Sequence, residues 1–105
     1  YPDFAYPVAQ AVAKGDVQAG VVLCYTGIGV SITANKVRGI RCSLCSEPYS
    51  ASLTRRHNDS NVLALGAGMI GAALAKEILR VWLTTEFEGG RHQNRINKIS
   101  EYEAL

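Results

Sequence analysis

Cys24 follows an apolar run and opens the stretch 24–29, which reads CYTGIG. A turn here between a strand and a helix would set the thiol and the hydroxyl of Thr26 beside the backbone amides of Gly27 and Gly29. Amide dipoles at a helix N-terminus favour the thiolate form of cysteine, and unobstructed amides can bind an oxyanion or a phosphate. The stretch therefore predicts a base or nucleophile at Cys24, with Thr26 as a proton relay. A buried strand cysteine beside an ordinary turn is the alternative.

Two further polar clusters could complete such a site. His57 and Asn58 end a charged helical stretch; an imidazole can accept or return a proton near neutral pH, and an amide can hold a sugar oxygen. Arg91 and Arg95 are four positions apart, so on a helix they share a face and could converge on one phosphate. The alternatives are a solvated helix cap and a solvated basic face. Together with Cys24, the clusters indicate proton transfer on a small phosphorylated molecule.

Other motifs are weaker. The stretch 27–29 (GIG) lacks the third glycine of a dinucleotide-binding fingerprint, because Ile32 stands in its place. Cys42 and Cys45 have the spacing of a redox or zinc pair, but positions three apart in a strand face opposite sides of the sheet. No second cysteine pair completes a zinc site. We therefore predict a structural role for these two thiols and no metal.

The composition fits one small domain spanning residues 1–105. With 48% hydrophobic and 19% charged residues, the chain has the mixture typical of a globular core. Its net charge of +2 is too small to indicate nucleic acid or a membrane surface, and no apolar run reaches the roughly 18 residues of a membrane span. The absence of a signal-peptide pattern and the odd count of three cysteines favour a cytoplasmic protein. A domain of this size leaves much surface unburied, so dimerisation is expected.

Strands and helices are predicted to alternate along the chain. The opening YPDFAYP reads as the entry to a helix from an earlier element, so an N-terminal segment is expected before it. Alternation of this kind implies right-handed parallel crossovers and a Rossmann-like three-layer α/β/α sandwich, whose ligands bind at the carboxyl ends of the strands. The predicted strands are 21–24, 40–45 and 61–65, and the predicted helices are 8–14, 28–36, 49–57, 70–83 and 91–103.

Four stretches together resemble a known family. Residues 24–31 (CYTGIGVS), 34–36 (ANK), 57–64 (HNDSNVLA) and 88–92 (EGGRH) are similar to the ribose-5-phosphate isomerase B and galactose-6-phosphate isomerase family. The resemblance spans nearly the whole chain, and the motifs occur in the family's order. It implies a parallel sheet of five strands in the full family fold, about three of which lie in this chain.

The resemblance implies an aldose–ketose isomerisation of ribose 5-phosphate and ribulose 5-phosphate through an enediolate, without cofactor or metal. By this analogy Cys24 is the base that moves the proton between C1 and C2. Thr26 and the amides of the two following glycines, Gly27 and Gly29, would steady the enediolate. His57 would assist ring opening.

The same analogy assigns the substrate-binding residues and the assembly. Asn58 would bind a sugar oxygen, Arg91 and Arg95 would bind the phosphate, and Tyr1 would line the pocket. The family forms homodimers with a shared active site, which could pair into tetramers, and the His57 loop would reach the partner's Cys24 site.

Three departures from the family pattern are visible. The family's first strand, with an Asp-His pair, has no counterpart in this chain; Tyr25 stands where a glycine is common; and Gly68 stands where relatives often have arginine. Two alternatives stay open: an isomerase of six-carbon phosphates such as allose or galactose 6-phosphate, and a non-catalytic sugar-phosphate-binding subunit.

Overall fold

Three parallel strands form the sheet at the centre of the molecule. The structure, a computed structural model, describes all 105 residues, and its strands are β1 (Gly20–Cys24), β2 (Cys42–Leu44) and β3 (Val62–Gly66). Strand β3 lies between the other two, in the order β1-β3-β2. Cys24 pairs with Gly66 at the carboxyl end of the sheet. The predicted parallel α/β fold is confirmed, although β2 is shorter than the predicted strand 40–45.

Five helices surround the sheet. The largest difference from the sequence prediction is at the first, which begins at Pro2 and passes through Pro7. Pro2 is favourable in the first helical turn, because the N–H group that it lacks has no partner there. Pro7 lies inside the helix, where it removes one backbone hydrogen bond without ending the helix. No helix has both the length and the apolar character needed to cross a membrane. The helices are α1 (Pro2–Ala13), α2 (Ile28–Asn35), α3 (Pro48–Asn58), α4 (Ala72–Thr84) and α5 (Arg91–Glu103).

Strand β3 supplies both hydrophobic cores. Because side chains alternate along a strand, Val62 and Ala64 join a core with α1 and α2, whereas Leu63 and Leu65 join a second core with α3 and α4. All five residues of β3 are buried. Burial on both faces explains why this segment reads as an uninterrupted apolar run rather than an alternating one.

The second core also contains a buried polar contact. Trp82, on α4, is 2% exposed, and its indole N–H donates a hydrogen bond of 2.8 Å to the hydroxyl of Ser60. Ser60 lies two residues before the start of β3 and is itself buried. The bond satisfies both polar groups, and it ties α4 to the segment that leads from α3 into the central strand.

We expect replacement of the central leucine to destabilise the fold strongly. Leu63 is completely buried, so Leu63→Ala removes apolar contacts and leaves a cavity, at a cost of about 2–5 kcal/mol in the free energy of unfolding. Urea denaturation measures the change. The matched control is Leu83→Ala, because Leu83 is 61% exposed and its truncation is expected to cost less than about 0.5 kcal/mol. Equal losses in the two variants would contradict this account of the core.

Candidate active site

The Cys24 thiol lies at the N-terminus of α2, as the sequence predicts. The backbone N–H of Gly27 donates a hydrogen bond of 3.2 Å to the Cys24 sulfur. Backbone N–H groups at the start of α2, with that of Val30 foremost, lower the pKa of Cys24 below its ordinary value, although partial burial acts in the opposite direction. These donors stabilise the negatively charged sulfur. The thiol is therefore poised to act as a thiolate.

The turn that carries these amides requires two glycines. Gly27 caps α2 with a φ of +81°, a left-handed conformation that disfavours other residues, and a Cβ there would lie 2.9 Å from the backbone carbonyl carbon of Leu65. A Cβ on Gly66 would lie 2.5 Å from the backbone oxygen of Thr26. The turn after β1 therefore packs backbone to backbone against the end of β3, and this contact fixes where the amides point.

Thr26 and Tyr1 complete this first group of predicted site residues. The Thr26 hydroxyl oxygen accepts a hydrogen bond of 3.1 Å from the N–H of Ile28, which orients the hydroxyl and leaves its own proton free to be donated. The Tyr1 ring lies against Gly29, where a Cβ would meet its hydroxyl oxygen at 2.6 Å. Five predicted residues, Tyr1, Cys24, Thr26, Gly27 and Gly29, therefore lie together at the carboxyl edge of the sheet.

Two residues that depart from the family pattern contact each other at this edge. The Tyr25 ring lies directly over Gly68, in the loop after β3, and a Cβ on Gly68 would overlap that ring. The N–H of Gly68 also donates a hydrogen bond of 2.8 Å to the carbonyl of Tyr25. Tyr25 is 73% exposed. The bulky ring at position 25 thus occupies the space that a side chain at position 68 would need.

His57 and Asn58 lie at the opposite end of the sheet. They end α3, which runs back against the strand direction, and the Asn58 carbonyl accepts a hydrogen bond of 3.0 Å from the guanidinium of Arg41. Arg41 immediately precedes β2. The length of β3, about 13 Å at 3.3 Å per residue, separates this end from Cys24. One chain therefore does not bring Cys24 and His57 to the same substrate.

A turn beyond Asn58 holds His57 and Asn58, the second group of predicted site residues, in place. Asp59 adopts a left-handed conformation with φ of 46°, and its carboxylate lies 2.9 Å from the guanidinium of Arg55 and 3.6 Å from that of Arg41. Arg55 also donates to the carbonyl oxygen of Thr85, 3.1 Å away. Asp59 is thus a cap and loop-closing residue.

The predicted phosphate residues belong to this second group. Arg91 and Arg95 begin α5, are exposed, and form no ion pair with a carboxylate. The start of α5 is fastened to the end of α3 because Arg56 forms an ion pair of 2.7 Å with Glu88. Two free guanidinium groups, one helical turn apart, therefore lie near the end of α3, where they could hold an anion.

Glu88 and His92 also lie in the second group, and no pattern in the sequence indicates that they belong to it. The His92 ring stacks on that of His57, with centroids 4.3 Å apart and planes 15° from parallel. The His92 imidazole also lies 3.5 Å from the Glu88 carboxylate. Because His57 and His92 are 35 positions apart, no local spacing indicates their contact.

The two remaining cysteines have the structural role that was predicted. Cys42 packs against the core on the α1 side of the sheet, and Cys45 belongs to the core on the α3 side, so their thiols face opposite ways. Burial raises the pKa of Cys42 to about 12 and that of Cys45 to about 11. Both stay protonated near neutral pH and are poor nucleophiles.

The fold defines the chain as a Rossmann-like α/β protein with a parallel sheet, and the candidate residues around Cys24 lie at the carboxyl edge of that sheet. Comparison with known proteins identifies the family. Residues 1–99 match the family described as Ribose/Galactose Isomerase. The chain belongs to this family, and it is an aldose–ketose isomerase.

Three relatives are particularly informative. Ribose-5-phosphate isomerase B of Escherichia coli is 54% identical over 103 residues, which make up 98% of this chain and 69% of that protein. The D-erythrulose-4-phosphate isomerase of Pectobacterium atrosepticum is 52% identical over 98% of this chain and 68% of its own length. The structure of Clostridium thermocellum ribose-5-phosphate isomerase B superposes with a TM-score of 0.98 at 51% identity, covering 99% of this chain and 70% of that one.

We expect alkylation by iodoacetamide to select Cys24. Its lowered pKa means that its reaction rate rises with pH and levels off below the pH at which an ordinary thiol does, since only the thiolate reacts. With pKa values of about 12 and 11, Cys42 and Cys45 have thiolate fractions of about one part in 10⁴ or less at pH 7. Mass spectrometry of the labelled peptides measures the rates. Labelling of a Cys24→Ser control at the same rate would contradict this assignment.

We expect the turn after β1 to tolerate no side chain at Gly27. Gly27→Ala combines a left-handed backbone with overlap of the Leu65 backbone, so it should cost about 1–3 kcal/mol in the free energy of unfolding and slow the alkylation of Cys24. Gly71→Ala is the control, because a Cβ there has no neighbour within 4 Å. Gly71 is the N-cap of α4, where alanine is less favourable than glycine by about 1 kcal/mol or less. If both variants unfold at the same urea concentration and alkylate Cys24 at the wild-type rate, Gly27 is not required by the turn.

Proposed function

We propose that this chain interconverts ribose 5-phosphate and ribulose 5-phosphate through an enediolate, with Cys24 as the base. The observation that carries the proposal is the hydrogen-bonded Cys24 sulfur at the N-terminus of α2, with its lowered pKa. A base for isomerisation must be deprotonated near neutral pH and must then release its proton to the next carbon. The backbone amides around Cys24 favour its thiolate form, which supports its role as the base.

The proton transfer would run as follows. The Cys24 thiolate removes the proton from C2 of the open-chain aldose, and the electron pair of that bond forms the C1–C2 double bond. The π electrons of the aldehyde move onto O1, which gives the enediolate. The Thr26 hydroxyl, whose oxygen is fixed by the N–H of Ile28, relays the proton from O2 to O1. The Cys24 thiol then returns its proton to C1, which gives the ketose and restores the thiolate.

The amides at this turn would stabilise first the Cys24 thiolate and then the enediolate. In the resting site the Gly27 N–H bonds the Cys24 sulfur, so it is not free for substrate. When the sulfur takes up the substrate proton, the negative charge moves to the enediolate oxygens, and the Gly27 and Gly29 amides at the same helix N-terminus can then stabilise it. Tyr1, which packs on Gly29, would form a wall of the pocket.

The other predicted residues would act from a second copy of the chain. His57 would assist opening of the sugar ring, Asn58 would bind a sugar oxygen, and Arg91 and Arg95 would bind the phosphate. The length of β3 separates this group from Cys24 in one chain, which supports a homodimer in which each active site combines the Cys24 edge of one protomer with the His57 end of its partner. In a two-fold dimer such a contact occurs twice.

The comparisons also include relatives that are named for sugars with a different number of carbons. A relative that is 52% identical over 98% of this chain is named D-erythrulose-4-phosphate isomerase, and the family description includes galactose as well as ribose. A phosphate of four or six carbons is therefore the alternative substrate. The exposed Tyr25 ring over Gly68 lies beside the Cys24 turn, where it would affect the length of sugar that fits.

The first test is an isomerase assay of the purified chain with phosphates of erythrulose, ribose, allose and galactose. We expect the highest kcat/KM for ribose 5-phosphate. Cys24→Ala should lower kcat by about 10²–10⁴-fold, the usual contribution of a positioned base, while Cys42→Ala, a control thiol, should retain activity if it folds. A higher kcat/KM for another phosphate would transfer the assignment to that substrate, and no turnover of any by a folded chain would favour the binding subunit.

Mixing two inactive variants tests whether the site is shared. If each site joins Cys24 of one protomer to His57 of the other, a heterodimer of Cys24→Ala and His57→Asn contains one intact site and one doubly damaged site. Random exchange of subunits should then restore about a quarter of the wild-type activity. A mixture that stays inactive, although mass spectrometry shows heterodimers, would contradict the shared site.

A further inference from the structure

A compact cluster of two imidazoles and a carboxylate lies where α3 ends and α5 begins. The nitrogen and oxygen atoms that His57, Glu88 and His92 can offer to a cation all lie within 4.8 Å of one another. From this geometry we infer that the three side chains form a site for a divalent transition-metal ion such as Zn²⁺, and that metal binding there inhibits the isomerase.

The ligand set selects the class of metal. Two imidazole nitrogens with one carboxylate oxygen, and water in the fourth position, are a common set in open zinc sites. Imidazole ligands suit Zn²⁺, Ni²⁺, Cu²⁺ and Co²⁺, whereas Mg²⁺ and Ca²⁺ prefer oxygen ligands. With two of its three ligands nitrogen, this cluster should discriminate strongly against the hard cations.

The distances are close to those that a metal requires. Ligand atoms bonded tetrahedrally to zinc at about 2.0–2.2 Å stand roughly 3.3–3.5 Å apart. The Glu88 and His92 ligand atoms are already 3.5 Å apart. The two imidazole rings are stacked, so their nitrogens lie side by side, and a turn of the His57 ring about its broad χ2 torsion would direct its lone pair to the same point.

Arg56 holds the Glu88 carboxylate in a fixed orientation. One oxygen of Glu88 is paired with Arg56 at 2.7 Å, and the N–H of Glu88 donates to the carbonyl of Arg56 at 3.1 Å. The second oxygen is the one that faces His92. Outer contacts of this kind orient a ligand and reduce the entropy lost when the metal binds. The positive charge of Arg56 also weakens the site, as expected for a reversible rather than a permanent ion.

Inhibition follows from the identity of one ligand, and this part rests on the proposed function. A metal bound to His57 takes away the lone pair that would assist ring opening. Cys24 lies at the other end of the sheet in the same chain, so it is not a ligand from that chain.

Binding is tested separately from activity, by titrating the chain with Co²⁺ and following its visible absorption. We expect the spectrum of a tetrahedral or five-coordinate cobalt ion. His92→Gln should weaken binding at least tenfold, as should Glu88→Gln. Glu101→Gln, which removes an exposed carboxylate elsewhere on α5, should bind as the wild type does. Absence of cobalt binding, or equal binding by His92→Gln, would overturn the site.

The second measurement is inhibition by Zn²⁺ of whichever isomerase activity the chain shows. We expect inhibition that a chelator reverses and that Mg²⁺ does not reproduce, with the Zn²⁺ concentration for half inhibition raised at least tenfold in His92→Gln. Cobalt binding without Zn²⁺ inhibition would refute the inhibitory role and retain the site. Because cobalt binding requires no turnover, a failure of the metal site can be distinguished from a failure of the proposed function.

Discussion

The backbone contact between the turn after β1 and the end of β3 determines the chemistry of this molecule. Gly27 and Gly66 carry no side chains, so the two segments touch directly, and the first turn of α2 is held with its amides around Cys24. Those amides, and not a neighbouring cation, lower the pKa of the thiol. A charge stabilised by backbone dipoles in this way does not require a second ionisable group and needs no reorganisation during the reaction.

The sheet then determines which residues can cooperate. Helices that follow parallel strands return to the strands' starting end, so the last residues of α3 necessarily lie far from the turn that holds Cys24. His57 and the start of α5 are grouped at that far end by the ion pair of Arg56 with Glu88. Family membership supplies the activity, and the topology separates Cys24 from His57 within one chain.

Much of this could be predicted from the sequence where the signals are local. The glycines around Cys24 predict a strand-to-helix turn, which is confirmed. The apolar run before Cys24 predicts a strand buried on both faces, and this is wrong, because β1 lies at the edge of the sheet and its Leu23 is 54% exposed. The prediction for the first helix, residues 8–14, is too short, because the opening residues form part of α1 rather than a segment that leads into it. The stacking of His92 on His57 depends on how two helices pack, and no local spacing records it.

Tyr25 and Gly68 show how a contact can restrict the course of sequence change. The ring at position 25 fills the space above Gly68 and is 73% exposed, so a side chain gained at position 68 would displace the ring toward solvent. The two positions are therefore coupled, and a substitution at either one changes the space open to the other.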